Sequence, residues 1–211
     1  MQTFVAYLVV LARKAQHFLL QGDEMQNAPQ RLRLTSSSAD HHRGKPLVVV
    51  VPPQHPIYDI WNQMGDFFSS SASQILDRLW LGNALNAADA AFLRRVPVRA
   101  VVNLSAEVPN LFEEDVLYCQ CNVSDIIGCT LPFTWISRFI HAQLTRDRAV
   151  LVHCFIGRSR SVAAVCHYLM AYCGYSFDAA YAHVSRRRPM ACINADLARQ
   201  LRAAQGGARA R

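Results

Sequence analysis

The apolar and polar positions along the chain divide it into a polar first third and a remainder in which short apolar runs alternate with helical periodicity. Residues 47–51, LVVVV, read as a strand stopped by Pro52-Pro53. "SSSAS" at 69–73 is a break, and the compact domain is expected to begin just after it, near Gln74. From there "ILDRLWLG" (75–82) reads as one strand ending at a glycine. Asn86, with Asp89 three residues on, reads as the cap of a short helix reaching about Arg95. "VRAVVNL" (98–104) and "VLYCQCNV" (116–123) are further strands. Pro132 opens a helix to about Arg146, with Ile136, Phe139, Ile140 and Leu144 on one side. "AVLVH" (149–153) is the most apolar strand and is expected at the centre of the sheet. A helix from about Arg160 to Cys173 ends at Gly174; Ser176 caps another to about Arg187; Asn194 caps a last one to about Ala204. Strands alternating with helices predict a layered α/β domain.

Composition agrees with a folded domain: 52% of the residues are hydrophobic and 18% charged. The net charge is +7, and all but Lys14 and Lys45 of the 22 cations are arginine. Many lie late in the chain, in Arg186-Arg187-Arg188, Arg199, Arg202, Arg209 and Arg211, and read mainly as a solvated basic surface that attracts anions. With no aromatic-interleaved basic stripe and no zinc-ligand spacing, a nucleic-acid partner is not expected. The apolar run at 4–12 falls short of the roughly 20 residues that span a bilayer, and Arg13-Lys14 follow it, so neither a membrane segment nor a secretory signal is expected. An N-terminal helix is the reading there. The lack of acidic residues before Asp23 leaves a mitochondrial presequence as the lesser alternative to a cytoplasmic or nuclear protein. Residues 21–46 read as a polar linker, whose His41-His42 lack the further ligands a metal needs. Seven cysteines without paired CxxC elements read as reduced, mostly buried thiols.

The chemistry gathers at "VLVHCFIGRSRSVAAV" (150–165). A strand ends at His153, the loop Cys154-Phe155-Ile156-Gly157-Arg158-Ser159-Arg160 follows, and a helix begins. A tight loop at a helix N-terminus turns backbone amides toward one point and makes an anion site. Gly157 suits the turn, and Arg160 can fork onto two oxygens of a phosphoryl group. The same field favours a thiolate at Cys154, a nucleophile aimed at the phosphorus that the loop grips. His153 is expected to order the loop from behind.

At this point the residues resemble a known family. "His153-Cys-x-x-Gly-x-x-Arg160-Ser161" is similar to the signature of the cysteine-based protein tyrosine phosphatases, and the wider stretch resembles their small, atypical dual-specificity members. "ILDRLWLGN", "AVVNLS" and "RRRPMACINADLARQL" resemble other parts of that pattern, from about Gln74 to Ala204. The resemblance implies a single phosphatase domain with a central twisted mixed sheet of about five strands flanked by helices. It divides the chain into an N-terminal extension with a partly disordered linker (1–72), a catalytic domain (73–205) and a basic tail (206–211). It further implies Cys154 as nucleophile, Arg160 as phosphate ligand, Ser161 as donor to the sulfur, and Phe155 to Arg160 as the phosphate-binding loop, supported by His153 and Asn194. The implied general acid is an aspartate about 30 residues before the cysteine. Asp125, 29 before it, is preferred; Asp115 and Asp147 are the alternatives. Ile156 stands where the small phosphatases often have alanine, and Arg158 adds a rim cation that reads as solvated. The implied substrates are phosphorylated proteins, on tyrosine and on serine or threonine; a phosphoinositide or an RNA 5′-triphosphate is the alternative. No cofactor and no metal is expected. Cys119, Cys121 and Cys129 near the Asp125 loop include a candidate resolving thiol under oxidation.

Overall fold

In a computed structural model of the chain, the described residues are 65, 68, 70–126 and 128–208, of which 206–208 are described by backbone alone. All belong to the unit formed by residues 62–211. The expected N-terminal helix, the linker at 21–46, His41-His42 and the strand at 47–51 lie outside the described residues.

The elements are β1 (Ser73–Leu76), β2 (Leu79–Gly82), α1 (Ala84–Ala88), α2 (Ala90–Arg95), β3 (Val98–Asn103), β4 (Leu117–Gln120), α3 (Phe133–Leu144), β5 (Ala149–His153), α4 (Arg160–Cys173), α5 (Phe177–Arg187) and α6 (Ala195–Ala208). They build a five-stranded mixed sheet in the order β1-β2-β5-β3-β4. β1 runs antiparallel to β2, and the other neighbours are parallel. β5, buried at every position, is central as its apolar run predicts.

The period of two in β5 divides the core. Val150 and Val152 point to the larger cluster, with Ala100, Val102 and residues of α3 to α6. Leu151 points the other way, to a smaller cluster with Val101 and with Phe92 and Leu93 of α2. The helices therefore cover both faces, and the sheet positions β5 so that its C-terminal end meets the start of α4.

Three local expectations change. "ILDRLWLG" is a hairpin rather than one strand, turning at Asp77-Arg78. Arg78 adopts a left-handed φ of 59°, uncommon for a side-chain-bearing residue. Its carbonyl accepts from the Val150 amide at 2.8 Å, and its guanidinium pairs with Asp147. The single helix expected from Asn86 is two. Asn83 caps α1 in a reciprocal box with Asn86, and Asp89 caps α2 by accepting from the amides of Ala91 and Phe92. The last helix extends to Ala208, three residues into the expected basic tail.

The later caps fall as expected. Gly174, at φ 72°, closes α4; Ser176 accepts from Ala179 to start α5; the Asn194 side chain accepts from Leu197 to start α6. Arg188, read as part of a basic surface, is instead 1% exposed.

Leu151→Ala removes a fully buried side chain from the central strand. The expected cost is about 2–5 kcal/mol of unfolding free energy, measured by denaturant titration.

Candidate active site

The loop between β5 and α4 is defined by where its carbonyls go. Each carbonyl from 154 to 159 is taken by a donor. The Cys154 carbonyl accepts from His153 Nδ1 at 3.3 Å, Phe155 from the Ala84 amide at 3.0 Å, and Ile156 from the Arg188 guanidinium at 3.5 Å. The Gly157 carbonyl accepts from Arg188 Nε at 2.6 Å, Arg158 from the Cys192 amide at 2.8 Å, and Ser159 from the Ala163 amide at 2.8 Å. Peptide units are planar and trans, so a carbonyl drawn outward turns its amide the opposite way. The loop amides thereby converge toward the Cys154 sulfur, and that of Gly157 donates to Sγ at 3.3 Å.

Gly157 is required at its position. Its φ is 79°, and a Cβ there would stand 2.5 Å from both the Gly82 carbonyl oxygen and the Arg188 guanidinium. Cys154 is 1% exposed, and the Ser161 hydroxyl lies 3.3 Å from its sulfur. Phe155 is fully buried, so it serves the loop through its backbone while its side chain packs in the core. Ile156 is half-buried. Arg158 is also half-buried rather than a freely solvated rim cation, and its carbonyl is tied to the Cys192 segment. The Ser159 hydroxyl accepts from the Asn194 amide at 3.2 Å.

Arg160 is 1% exposed and is surrounded by acceptors. Its terminal nitrogens donate to the carbonyls of Leu104 and Val123 and to both carboxylate oxygens of Glu107, at 3.1 and 3.4 Å. Asp125 Oδ2 lies 3.6 Å from Nε, which itself makes no hydrogen bond among the described residues. Burial alone would lower the Arg160 pKa. The Cys154 sulfur, Glu107 and Asp125 more than offset that and raise it, so the cation is held firmly. His153, also 1% exposed, is pushed down to about 4, first by burial and then by the Arg160 charge beside it. It is neutral at pH 7, with its Nδ1 hydrogen committed to the loop.

The structure brings Cys154, Arg160, Ser161, Asp125 and Asn194 together, and it separates the two alternative aspartates from them. Asp115 stands just before β4, at the opposite end of the sheet, and Asp147 is paired with Arg78 in the turn before β5. The neighbouring Cys121 thiol, together with burial, drives the Cys119 thiol up. All seven cysteines are free, and Cys173, at the end of α4, is exposed rather than packed.

Two functional contacts escaped the sequence reading. Glu107 is the first acid after β3, and a buried arginine across the loop calls for such a partner; that was the available signal. Arg188 carried no signal apart from its neighbours in "RRRP", because its partners Ser70, Ser71 and Ser73 lie more than a hundred residues away.

A thiol beneath converging amides, at a helix N-terminus and beside a buried guanidinium, defines a cysteine-based phosphoryl-binding centre. The family model for the dual specificity phosphatase catalytic domain matches residues 79–206, and the chain belongs to that family. Protein phosphatase Slingshot homolog 3 of Mus musculus is 36% identical over 137 residues, covering 64% of this chain and 21% of that protein. Dual specificity protein phosphatase 18 of Rattus norvegicus is 36% identical over 134 residues, 63% of this chain and 66% of that one. The crystal structure of human DUSP28 superposes with a TM-score of 0.61 at 28% identity, covering 65% of this chain and 98% of that one. The chain thus spans about a fifth of the length of the Slingshot relatives it matches.

Two outcomes are expected from this geometry. Glu107→Ala leaves the buried Arg160 with Asp125 as its carboxylate partner. It should cost at most about 3 kcal/mol of unfolding free energy and weaken inorganic phosphate binding, read by calorimetry. Because the folded pKa of His153 lies below its unfolded value of 6.5, the unfolded chain takes the proton first as pH falls. Stability is fully present above pH 6.5 and is lost toward pH 4, by about 3 kcal/mol for this one group. His153→Asn should flatten that fall in denaturant titrations run across the same range.

Proposed function

We propose that the chain hydrolyses phosphomonoesters on proteins, at phosphotyrosine and at phosphoserine and phosphothreonine, through a cysteinyl-phosphate intermediate. The observation that carries this is the outward commitment of all six loop carbonyls, which aims the loop amides at the space over Cys154. The equatorial oxygens of a phosphoryl group would accept from those amides and from Arg160 Nε, a buried donor that makes no hydrogen bond among the described residues.

In the first step the Cys154 thiolate forms a bond to phosphorus as the ester oxygen leaves. Asp125, on the loop after β4, gives that oxygen a proton. In the second step water attacks the phosphorus, Asp125 takes the water's proton, and the S–P bond breaks. The Ser161 hydroxyl, 3.3 Å from the sulfur, donates to the departing thiolate. His153 and Asn194 support the loop from its two sides. Seven free cysteines fit a reducing compartment, where such a thiolate survives.

Cys154→Ser should abolish hydrolysis of p-nitrophenyl phosphate while inorganic phosphate still binds; turnover retained in that variant would remove the nucleophile from this scheme. Kinetics on phosphotyrosine and phosphoserine peptides, a water-soluble phosphoinositide and an RNA 5′-triphosphate should give the highest kcat/KM on the peptides. A larger value on either of the other two would move the substrate class while leaving the chemistry in place.

A further inference from the structure

Asp125 sits on an irregular segment between β4 and α3, and its carboxylate is 29% exposed. Nothing in the segment's own secondary structure fixes that carboxylate over the loop. Its position comes from α6. The Asn194 side-chain Nδ2 donates to Asp125 Oδ1 at 2.9 Å and to the Cys129 sulfur at 3.4 Å. The Asn194 Oδ1 accepts from the Leu197 amide at 2.9 Å, and its own amide donates to Ser159 Oγ at 3.2 Å. One residue therefore touches the acid, the acid's segment, the phosphate-binding loop and the start of α6.

The rest of the segment is fastened to the same helix. The Gly128 amide donates to Asp196 Oδ2 at 2.7 Å, and Gln200 Nε2 donates to the Cys129 carbonyl at 2.9 Å. The Gly128 amide and Arg199 hold the Asp196 carboxyl below its usual range, so it stays an acceptor. These contacts fix backbone beyond Asp125, whereas, among the described residues, two groups reach its carboxylate: Arg160 Nε at 3.6 Å and Asn194. A bound phosphoryl group would take Nε for itself, leaving Asn194 as the tie while the proton is transferred.

We propose that Asn194 is a positioning residue for the general acid, its carboxamide setting the distance between the Asp125 carboxylate and the thiol loop. The proposal rests on the reading of Asp125 as the acid. It is separable from helix capping because aspartate and serine cap helices about as well as asparagine. Asn194→Asp keeps the cap oxygen but replaces the donor with a like charge beside Asp125. Asn194→Ser keeps a cap and falls short of Asp125.

The test uses the full chain, with p-nitrophenyl phosphate as the substrate with a good leaving group and phenyl phosphate as the one with a poor leaving group. The ratio of their kcat values should rise by about tenfold or more in Asn194→Asp and Asn194→Ser, with little change in melting temperature. Asp125→Asn should raise the same ratio, and Asn194→Asp added to it should raise it no further. An unchanged ratio in both Asn194 variants, or effects that multiply in the double variant, would overturn the positioning role while leaving Asp125 as acid. An unchanged ratio in Asp125→Asn alone would overturn both.

Discussion

The site depends on an arrangement of peptide groups more than on any one side chain. Six successive carbonyls are drawn away from a common centre, and the rigidity of the peptide unit does the rest. No loop could hold this shape by itself, since six dipoles turned alike repel one another. The donors that hold them come from His153, α1, α4, the residue after α5 and the strand of chain before α6. The fold around the loop is a set of brackets, each supplying one or two hydrogens at a fixed place. Glycine at 157 follows from this, because the brackets leave no room for a Cβ.

The second constraint is a guanidinium taken almost wholly out of water. Such a charge is costly unless it is surrounded by oxygen. The carbonyl ends of β3 and the segment after β4 supply two oxygens, Glu107 supplies two more, and Asp125 adds its charge. The parallel strands β3, β4 and β5 end at one edge of the sheet, so their following segments converge on Arg160. The topology and the electrostatics thus require each other. Neutral His153, packed against the same cation, adds no competing positive charge.

Much of this was legible in the residues, and the reason is physical. Cys154, Gly157, Arg160 and Ser161 lie within eight positions, where a strand's apolar run, a glycine and a helix start each leave a local mark. Gly174, Ser176 and Asn194 mark helix ends by capping, which is also local. The Asp77-Arg78 turn was hidden because Arg78 reaches its left-handed conformation with help from Asp147, 69 residues on. α1 and α2 were merged because Asn86 resembles a cap while completing the box of Asn83. Glu107, Arg188 and the tie from Asn194 to Asp125 depend on contacts between distant segments, and no pattern of neighbours encodes them. The same holds for the depth of Arg188, which looks from its sequence like one more surface cation.

Arg188 also bears on how the protein comes into being during synthesis. It joins the Ile156 and Gly157 carbonyls to Ser70, Ser71 and Ser73, so the first and last parts of the domain meet behind the Cys154 loop. A growing polypeptide exposes Cys154 more than thirty residues before this arginine emerges from the ribosome. Until then the Ile156 and Gly157 carbonyls lack the guanidinium that holds them. The nascent chain therefore completes the loop around Cys154 only when translation of the domain is nearly complete.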